Sequence, residues 1–503
     1  MRGAGETKAL IAQPVMRELE LTPDDLLRAL LRLDPARRTS ILDSGGVRPP
    51  DARFLIAGFD PFEIIEARGE QLRITRRDSA SEELLQGDVL ALLDERLQSY
   101  HAPPATQADA PLPGACIATF SYELGQRLEA ARINRARRTL TEPDAVLAFY
   151  DTLVIHDYLR GTSRLVSRSG PERLEETHRA LCDAAATTSA RSTSQTKADL
   201  SPHATQEDED DFKRLPPQLS GQRVASNFTR DEYLSAVERI KEHIAAGDIY
   251  QANLTQQLSV DLSPGRTPES IFLRLRRDHP ASFAAFIRRR EDVVVSASPE
   301  RFLRVEAAAE GERQIEAWPI KGTRPRGASE EEDARLRLEL QQSEKDRAEN
   351  VMIVDLMRND LGRVCRYGSV RVEELCTIQE HPTLFHLVSK VRGTLREEVR
   401  ASGLLRAAFP CGSITGAPKL RAMEIIDEVE TVPRGLSMGA TGYFSFDGRM
   451  DLSVAIRTMT LRRGLARFNV GGGVVADSDP AQEYEESLTK ALALLRALQK
   501  DEG

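Results

Sequence analysis

Glu483, Glu486 and Lys490 fall at i, i+3 and i+7 near the start of the last helical segment, so they share one helix face beside its apolar stripe. Two carboxylates one turn apart suit a hard cation such as Mg²⁺, which takes few protein oxygens and keeps water and substrate as further ligands. The helix dipole also favours acids in a first turn, so a solvated acidic helix start is the alternative. Just upstream, Gly471, Gly472 and Gly473 follow a strand pattern. Residues without side chains let backbone approach a ligand and offer N–H groups to an anion; a plain turn would use the same glycines.

Gly412-Ser413-Ile414-Thr415-Gly416-Ala417-Pro418-Lys419 sets small residues before a helix, with Pro418 suited to its first position. The free N–H groups there, with the Thr415 hydroxyl, would receive a carboxylate or phosphate, unless this is an ordinary capped helix. Pro319-Ile320-Lys321-Gly322-Thr323 follows a strand and the only Trp, Trp318. A lysine desolvated beside an indole would have a lowered pKa and a nucleophilic neutral amine; the alternative is an exposed turn lysine. Only 10 of the 69 basic residues are Lys, which makes each one informative, because an arginine cannot supply a neutral amine. Glu300, in Ser298-Pro299-Glu300, and His386, on the apolar strand Leu384–Val388, are single candidate acids or bases. Each is equally ordinary as a structural residue.

These groups sit in a chain of 503 residues, a length that suggests about three domain-sized units. Its net charge of -9 argues against nonspecific nucleic-acid binding and against an anionic membrane surface as partner. No apolar run approaches the roughly 18 residues of a membrane span. The N-terminal segment lacks a secretion-signal pattern, and a cytoplasmic protein is the expectation. Cys116, Cys182, Cys365, Cys376 and Cys411 are odd in number and never spaced C-x-x-C, which favours buried free thiols over disulfides or zinc.

The elements that must position the site read as follows. Strands are expected at Arg53–Ala57, Leu147–Ile155, Tyr250–Val260, Asp292–Val305, Ser369–Val372, Thr383–Gly393, Gly442–Phe446, Leu452–Leu461 and Ala466–Val470. Helices are expected at Leu84–Leu97 and Glu172–Ala185, after the capping box Thr229/Glu232, after Ser329, after Ser343, at Pro418 and at Asp479-Pro480. A Ser-, Thr- and Pro-rich stretch with the acidic run Glu207–Asp211 reads as a flexible linker. The chain thus divides into 1–185, a linker at 186–222, and 223–503, and irregular mixing of strands and helices predicts an α+β fold.

SASPERFL, PIKGTRPRG, AENVMIVDLMRNDLGRV, GSITGAPKLRAMEIIDEVE, GYFSFDGRMDLSVAIRTM and GGGVVADSDPAQEYEESLTKA occur in the order found in chorismate-utilising enzymes. The chain resembles that family densely from Thr229 to Leu498, and more loosely in ILDSGG and ATFSYELGQRLE. The resemblance implies an α/β sandwich of antiparallel sheets flanked by helices, with the N-terminal part packed on a catalytic C-terminal part. It implies Mg²⁺ as cofactor, bound by Glu349, Glu483 and Glu486. It implies that Arg457, Lys490 and the backbone of Gly471, Gly472 and Gly473 hold substrate carboxylates, and that Thr415, Tyr443 and His386 line the ring pocket. The family commonly has His where this chain has Asn350. Ser44 falls where the family's tryptophan pocket begins.

The resemblance also bears on the reaction. Water-using members place a Lys where this chain has Gln251, which disfavours water as nucleophile. Ammonia-using members that form anthranilate usually have Ala at the position of Lys321. The Lys type implies attack of Lys321 on carbon 2 of chorismate, departure of the carbon-4 hydroxyl helped by Glu300, and ammonia addition at carbon 4. The implied product is 4-amino-4-deoxychorismate, on the route to p-aminobenzoate and folate. Anthranilate formation is the alternative, and a noncatalytic scaffold of the same fold is a third. The sequence holds no glutaminase segment, so a glutaminase subunit is the expected ammonia-supplying partner. The stretch EAAAEGERQ between Glu300 and Lys321 is expected to lengthen a hairpin.

Overall fold

The computed structural model describes residues 13–47, 52–103, 111–129, 142–186, 213–214, 223–307, 311–380 and 384–499. The first part runs β1 (Val15–Leu19), α1 (Pro23–Arg32), β2 (Ser40–Asp43), β3 (Phe54–Gly58), β4 (Glu63–Arg68), β5 (Gln71–Arg76), β6 (Glu83–Gln86), α2 (Val89–Ser99), β7 (Ala115–Phe120), α3 (Tyr122–Leu128), β8 (Ala145–Tyr150), β9 (Thr152–Asp157), β10 (Thr162–Ser167) and α4 (Pro171–Ala186). Then come β11 (Lys213–Arg214), β12 (Val224–Ser226), α5 (Arg230–Ala245), β13 (Gln251–Asp261), α6 (Pro268–Asp278), β14 (Phe283–Arg288), β15 (Val293–Ser298), β16 (Arg301–Ala307), β17 (Arg313–Ala317) and β18 (Ile320–Pro325). The last part is α7 (Glu330–Gln342), α8 (Glu344–Gly362), β19 (Arg371–Glu380), β20 (Leu384–Thr394), α9 (Ala401–Ala408), β21 (Gly416–Ala417), α10 (Lys419–Val429), β22 (Ala440–Ser445), β23 (Met450–Val454), β24 (Thr458–Arg462), β25 (Leu465–Val474) and α11 (Pro480–Leu498).

Capping chemistry starts the helices near the site. Thr229 and Glu232 make the reciprocal capping box of α5, at 3.3 and 2.7 Å. Ser343 Oγ accepts from the Asp346 N–H at the start of α8, and Asp479 from the Gln482 N–H at the start of α11. Pro418 is the cap of α10 rather than its first helical residue.

Two antiparallel sheets of thirteen and twelve strands form among the described residues. The larger has the order β1-β10-β9-β3-β2-β14-β15-β24-β25-β13-β12-β11, with β21 beside β13. The smaller is β18-β20-β17-β16-β23-β22-β7-β8-β4-β5-β6, with β19 beside β20. Both sheets take strands from before residue 186 and from after residue 223; β2 meets β14 in one and β22 meets β7 in the other. The apolar layer between the sheets includes Ile56, Ile117, Tyr150 and Ile287. Helices α1, α4, α6 and α11 cover the outer face of the larger sheet, and α2, α8 and α9 that of the smaller. The α+β sandwich follows from these layers.

Three expected strands are each two strands that cross between the sheets. Leu147–Ile155 divides at buried Asp151 into β8 and β9, Asp292–Val305 at Pro299-Glu300 into β15 and β16, and Leu452–Leu461 at Ala455–Arg457 into β23 and β24. Both halves of each run are apolar, so hydrophobicity alone conceals the break. The expected helix Leu84–Leu97 is the edge strand β6 followed by α2, because Asp88 accepts from the Leu90 N–H and begins the helix only there. Residues 187–212 and 215–222 of the expected linker lie outside the described residues, whereas Lys213 and Arg214 pair with Ser226 and Ala225. β16 and β17 form the hairpin expected around EAAAEGERQ, of which 308–310 are not described. All five cysteines are free; Cys182 is only partly buried. No helix among the described residues is long and apolar enough to cross a membrane.

Candidate active site

Two of the crossings carry site residues and lock each other. The Val454 N–H donates to the Glu300 carbonyl (3.1 Å), the Ser298 hydroxyl to the Val454 carbonyl (2.6 Å), and the Ala297 N–H to the Arg457 carbonyl (3.0 Å). Arg457 turns the chain with φ +49, a conformation unfavourable for a side-chain-bearing residue. Burial lowers its pKa, with no acid among the described residues opposing that, and a guanidinium so placed suits an anion.

Glu300 is 4% exposed, and its Oε1 is a buried oxygen without a hydrogen-bond partner among the described residues. Burial pushes its carboxyl up to about 7, although a hydrogen bond from Ser413, the charge of Lys321 and the Ile320 N–H pull the other way. The folded pKa lies above the ordinary 4.5, so ionisation weakens the fold increasingly from pH 4.5 to about 7 and fully above it. A shift of this size corresponds to roughly 3 kcal/mol. Glu300→Gln is therefore expected to raise the melting temperature by a few degrees at pH 8 and to leave it unchanged near pH 4.5. Equal shifts at both pH values would rule out buried charge as the cause.

Lys321 lies on β18, where a β-bulge shifts the register between Lys321 and Thr323. Gly322 takes φ +78 in that bulge, and a Cβ there would lie 2.8 Å from atoms of Asp346 and Leu340. The bulge re-aims Lys321 so that its ammonium lies 3.9 Å from Glu349 Oε2 and 3.5 Å from the Ser413 carbonyl. Its side chain is 13% exposed. Trp318 is not its neighbour. The indole lies between Arg301 and Lys390, at 4.5 and 4.7 Å, and donates to Glu316. His386 on β20 is buried, with Nδ1 2.9 Å from the Thr323 hydroxyl, its ladder partner.

The glycine run is the end of β25 itself, not a loop after it. Leu254, Thr255 and Asn253 of β13 pair with Gly472, Gly471 and Gly473. Alternation turns Gly472 toward α11: a Cβ there would lie 3.2 Å from Glu483 Oε2, 3.3 Å from Lys490 Nζ and 3.7 Å from Glu486 Oε1. On the opposite face, a Cβ at Gly473 would strike the Gln251 side chain. Gln251 is buried and its Oε1 has no hydrogen-bond partner among the described residues.

Each candidate metal acid is held by a lysine. Glu349 meets Lys321, Glu483 meets Lys345 at 3.9 Å, and Glu486 meets Lys490 at 2.8 Å. Lys490 also donates to the Gly471 carbonyl, and the Ser478 hydroxyl to Glu483 Oε1. Burial raises the Glu349 pKa against Lys321 and Lys345. Burial pushes Glu486 up as well, but Lys490, Lys345 and Lys321 more than reverse it. Among the described residues no group of three His, Cys, Asp or Glu side chains is arranged to hold a metal ion. What fits a hard cation is the pair Glu483 and Glu486 at the space left by Gly472, with Glu349 facing it from α8.

Two expected ring-pocket residues sit differently. Thr415 is fully buried, and its hydroxyl is turned to the Cys411 and Gly412 carbonyls, where it closes the turn. Tyr443 lies on β22, five places from β18 in sheet order. It opens instead onto a cavity of about 150 Å³ between the sheets, together with Ser44, Phe283, Arg301 and Asp451. Strand alternation decides this, since Thr441 and Tyr443 share one face of β22. Ser413 stands in the sequence only as one small residue of the 412–419 segment, and Lys345 is not among the sequence candidates; the scarcity of lysine is the available signal for Lys345, four residues before Glu349.

A family model described as chorismate binding enzyme matches residues 10–496. The chain is 36% identical over 460 residues to aminodeoxychorismate synthase component 1 of Escherichia coli (strain K12), spanning 92% of this chain and 93% of that one. It is 34% identical over 483 residues to anthranilate synthase component 1 of Pseudomonas putida, spanning 94% and 93%. Among solved structures, anthranilate synthase component I from Streptococcus pneumoniae TIGR4 superposes with a TM-score of 0.71 at 28% identity, covering 89% of this chain and 93% of that one.

Proposed function

The chain belongs to the family of chorismate binding enzymes, and on that footing we propose that it aminates chorismate at ring carbon 4 to give 4-amino-4-deoxychorismate, the precursor of p-aminobenzoate and folate. One observation carries the reading: a scarce lysine, Lys321, is partly buried between Glu349 and the Ser413 carbonyl, close enough to Glu300 to act on its titration. A lysine amine so placed suits direct attack on the ring. The neutral Lys321 nitrogen bonds to carbon 2, the two ring double bonds shift toward carbon 4, and the carbon-4 hydroxyl leaves as water on a proton from Glu300. Ammonia then bonds to carbon 4, the double bonds shift back, and the bond from carbon 2 to lysine breaks. A carboxyl pushed up to about 7 by burial can still hold its proton near neutral pH, which suits this donor role.

Arg457, which no acid among the described residues opposes electrostatically, supplies a guanidinium for a substrate carboxylate. Mg²⁺ held at Glu483, Glu486 and Glu349 would neutralise carboxylate charge on chorismate. The reading includes a cytoplasmic location, a separate glutaminase subunit as the ammonia source, and the Ser44–Tyr443 cavity as the place for a tryptophan-like ligand. Anthranilate formation is the second reading, favoured by the similarity to anthranilate synthases. The deciding experiment supplies chorismate, Mg²⁺ and an ammonium salt. A product that becomes p-aminobenzoate only after a lyase is added supports the first reading; direct appearance of fluorescent anthranilate replaces it with the second.

A further inference from the structure

We propose that Asn350 is the positioning residue that sets Glu349 opposite Lys321. The inference rests on the reading of those two groups as parts of one site. Asn350 is fully buried on α8, directly after Glu349. Its Nδ2 donates to the Leu387 carbonyl at 3.2 Å. Its Oδ1 accepts from the Ser389 hydroxyl and, at 3.7 Å, from the Cys376 thiol. The Cys376 N–H in turn donates to Ser389 Oγ at 2.9 Å. One carboxamide thus ties α8 to β20 and to β19.

The point of attachment matters more than the number of bonds. Leu387 is the ladder partner of Lys321 and the residue after His386. Holding its carbonyl fixes the helix carrying Glu349 against the pair of strands carrying Lys321 and His386. The Lys321–Glu349 contact, at 3.9 Å, is made by two flexible side chains and cannot fix that register itself. The packing of α8 is supplied elsewhere: Ile353, Val354 and Met357 are buried in the core over the smaller sheet. Loss of the Asn350 bonds should therefore let α8 shift without unfolding. An amide can serve here because it donates and accepts at once, which neither Leu nor Asp does.

The test compares Asn350→Leu, Asn350→His and Ser389→Ala in the full chain. Mn²⁺ is the metal probe, titrated by EPR without substrate, alongside kcat and chorismate KM. Asn350→Leu is expected to weaken Mn²⁺ binding and to lower kcat by about 10- to 100-fold, the usual effect of removing a group that orients a metal ligand. Chorismate KM should stay within about twofold if Arg457 and Lys490 carry ground-state binding. Asn350→His, with one ring nitrogen to donate and one to accept, is expected to restore most of both. Ser389→Ala removes one bond, should give a smaller loss in both readouts, and serves where Asn350→Leu does not fold. Unchanged Mn²⁺ affinity and kcat in Asn350→Leu, or in Ser389→Ala where the former is unfolded, would overturn the proposal alone. A wild-type protein that binds no Mn²⁺ and makes no aminated product would take down the underlying site reading with it.

Discussion

Lys321→Ala is expected to lower 4-amino-4-deoxychorismate formation by roughly 10⁴-fold, the scale seen when a nucleophile acting with its partners is removed. The side chain is 13% exposed and its ion pair with Glu349 is a long contact of 3.9 Å, so the fold should persist while the reaction fails. Carbon 2 is unblocked in this variant, and traces of anthranilate are expected. Lys321→Arg should not rescue, because a guanidinium stays protonated and cannot attack carbon 2. If Lys321 acts only through its charge on Glu349 and the substrate, Arg would restore much of the activity. Intact-mass measurement with chorismate and no ammonia separates the two. A lysine-linked adduct is expected in the wild type, and an active Arg variant with no wild-type adduct would sink the covalent role.

Glu486→Gln and Glu349→Gln are each expected to abolish Mg²⁺-dependent turnover, by roughly 10²-fold or more, while leaving the fold intact. The amide keeps the shape of the carboxylate and removes its charge, and a hard cation responds to that charge. The two variants differ in one further respect. Glu486 is half exposed and paired with Lys490, whereas Glu349 is mostly buried with a raised pKa. Raising Mg²⁺ should therefore recover some activity in Glu486→Gln before Glu349→Gln. Near-normal turnover of either variant at low Mg²⁺ would remove that acid from the metal assignment.

Much of this chain is legible from local patterns, because caps and short motifs act over a few residues. Thr229 with Glu232, Ser343 and Asp479 start α5, α8 and α11 where their side chains dictate. Glu483, Glu486 and Lys490 share a face because helix periodicity leaves no other arrangement. The ordered motifs from SASPERFL to GGGVVADSDPAQEYEESLTKA carry the family and name Glu300, Lys321, Glu349 and Arg457 before any fold is known.

Tertiary structure alone decided what those residues meet. The apolar runs at Leu147–Ile155, Asp292–Val305 and Leu452–Leu461 look continuous, yet each changes sheet at its middle, and pairing partners from distant parts of the chain dictate where. Glu300 and Arg457 occupy two of those crossings, and their burial, which raises one pKa and lowers the other, exists only once both sheets close. Tyr443 passes from ring-pocket candidate to wall of the Ser44 cavity because sheet order separates β22 from β18. Lys321 loses its supposed indole neighbour and gains Glu349 through a bulge at Gly322. Sequence spacing determines which residues can share a face of one element; which faces then confront each other is set by long-range pairing and burial, and these involve residues hundreds of positions apart.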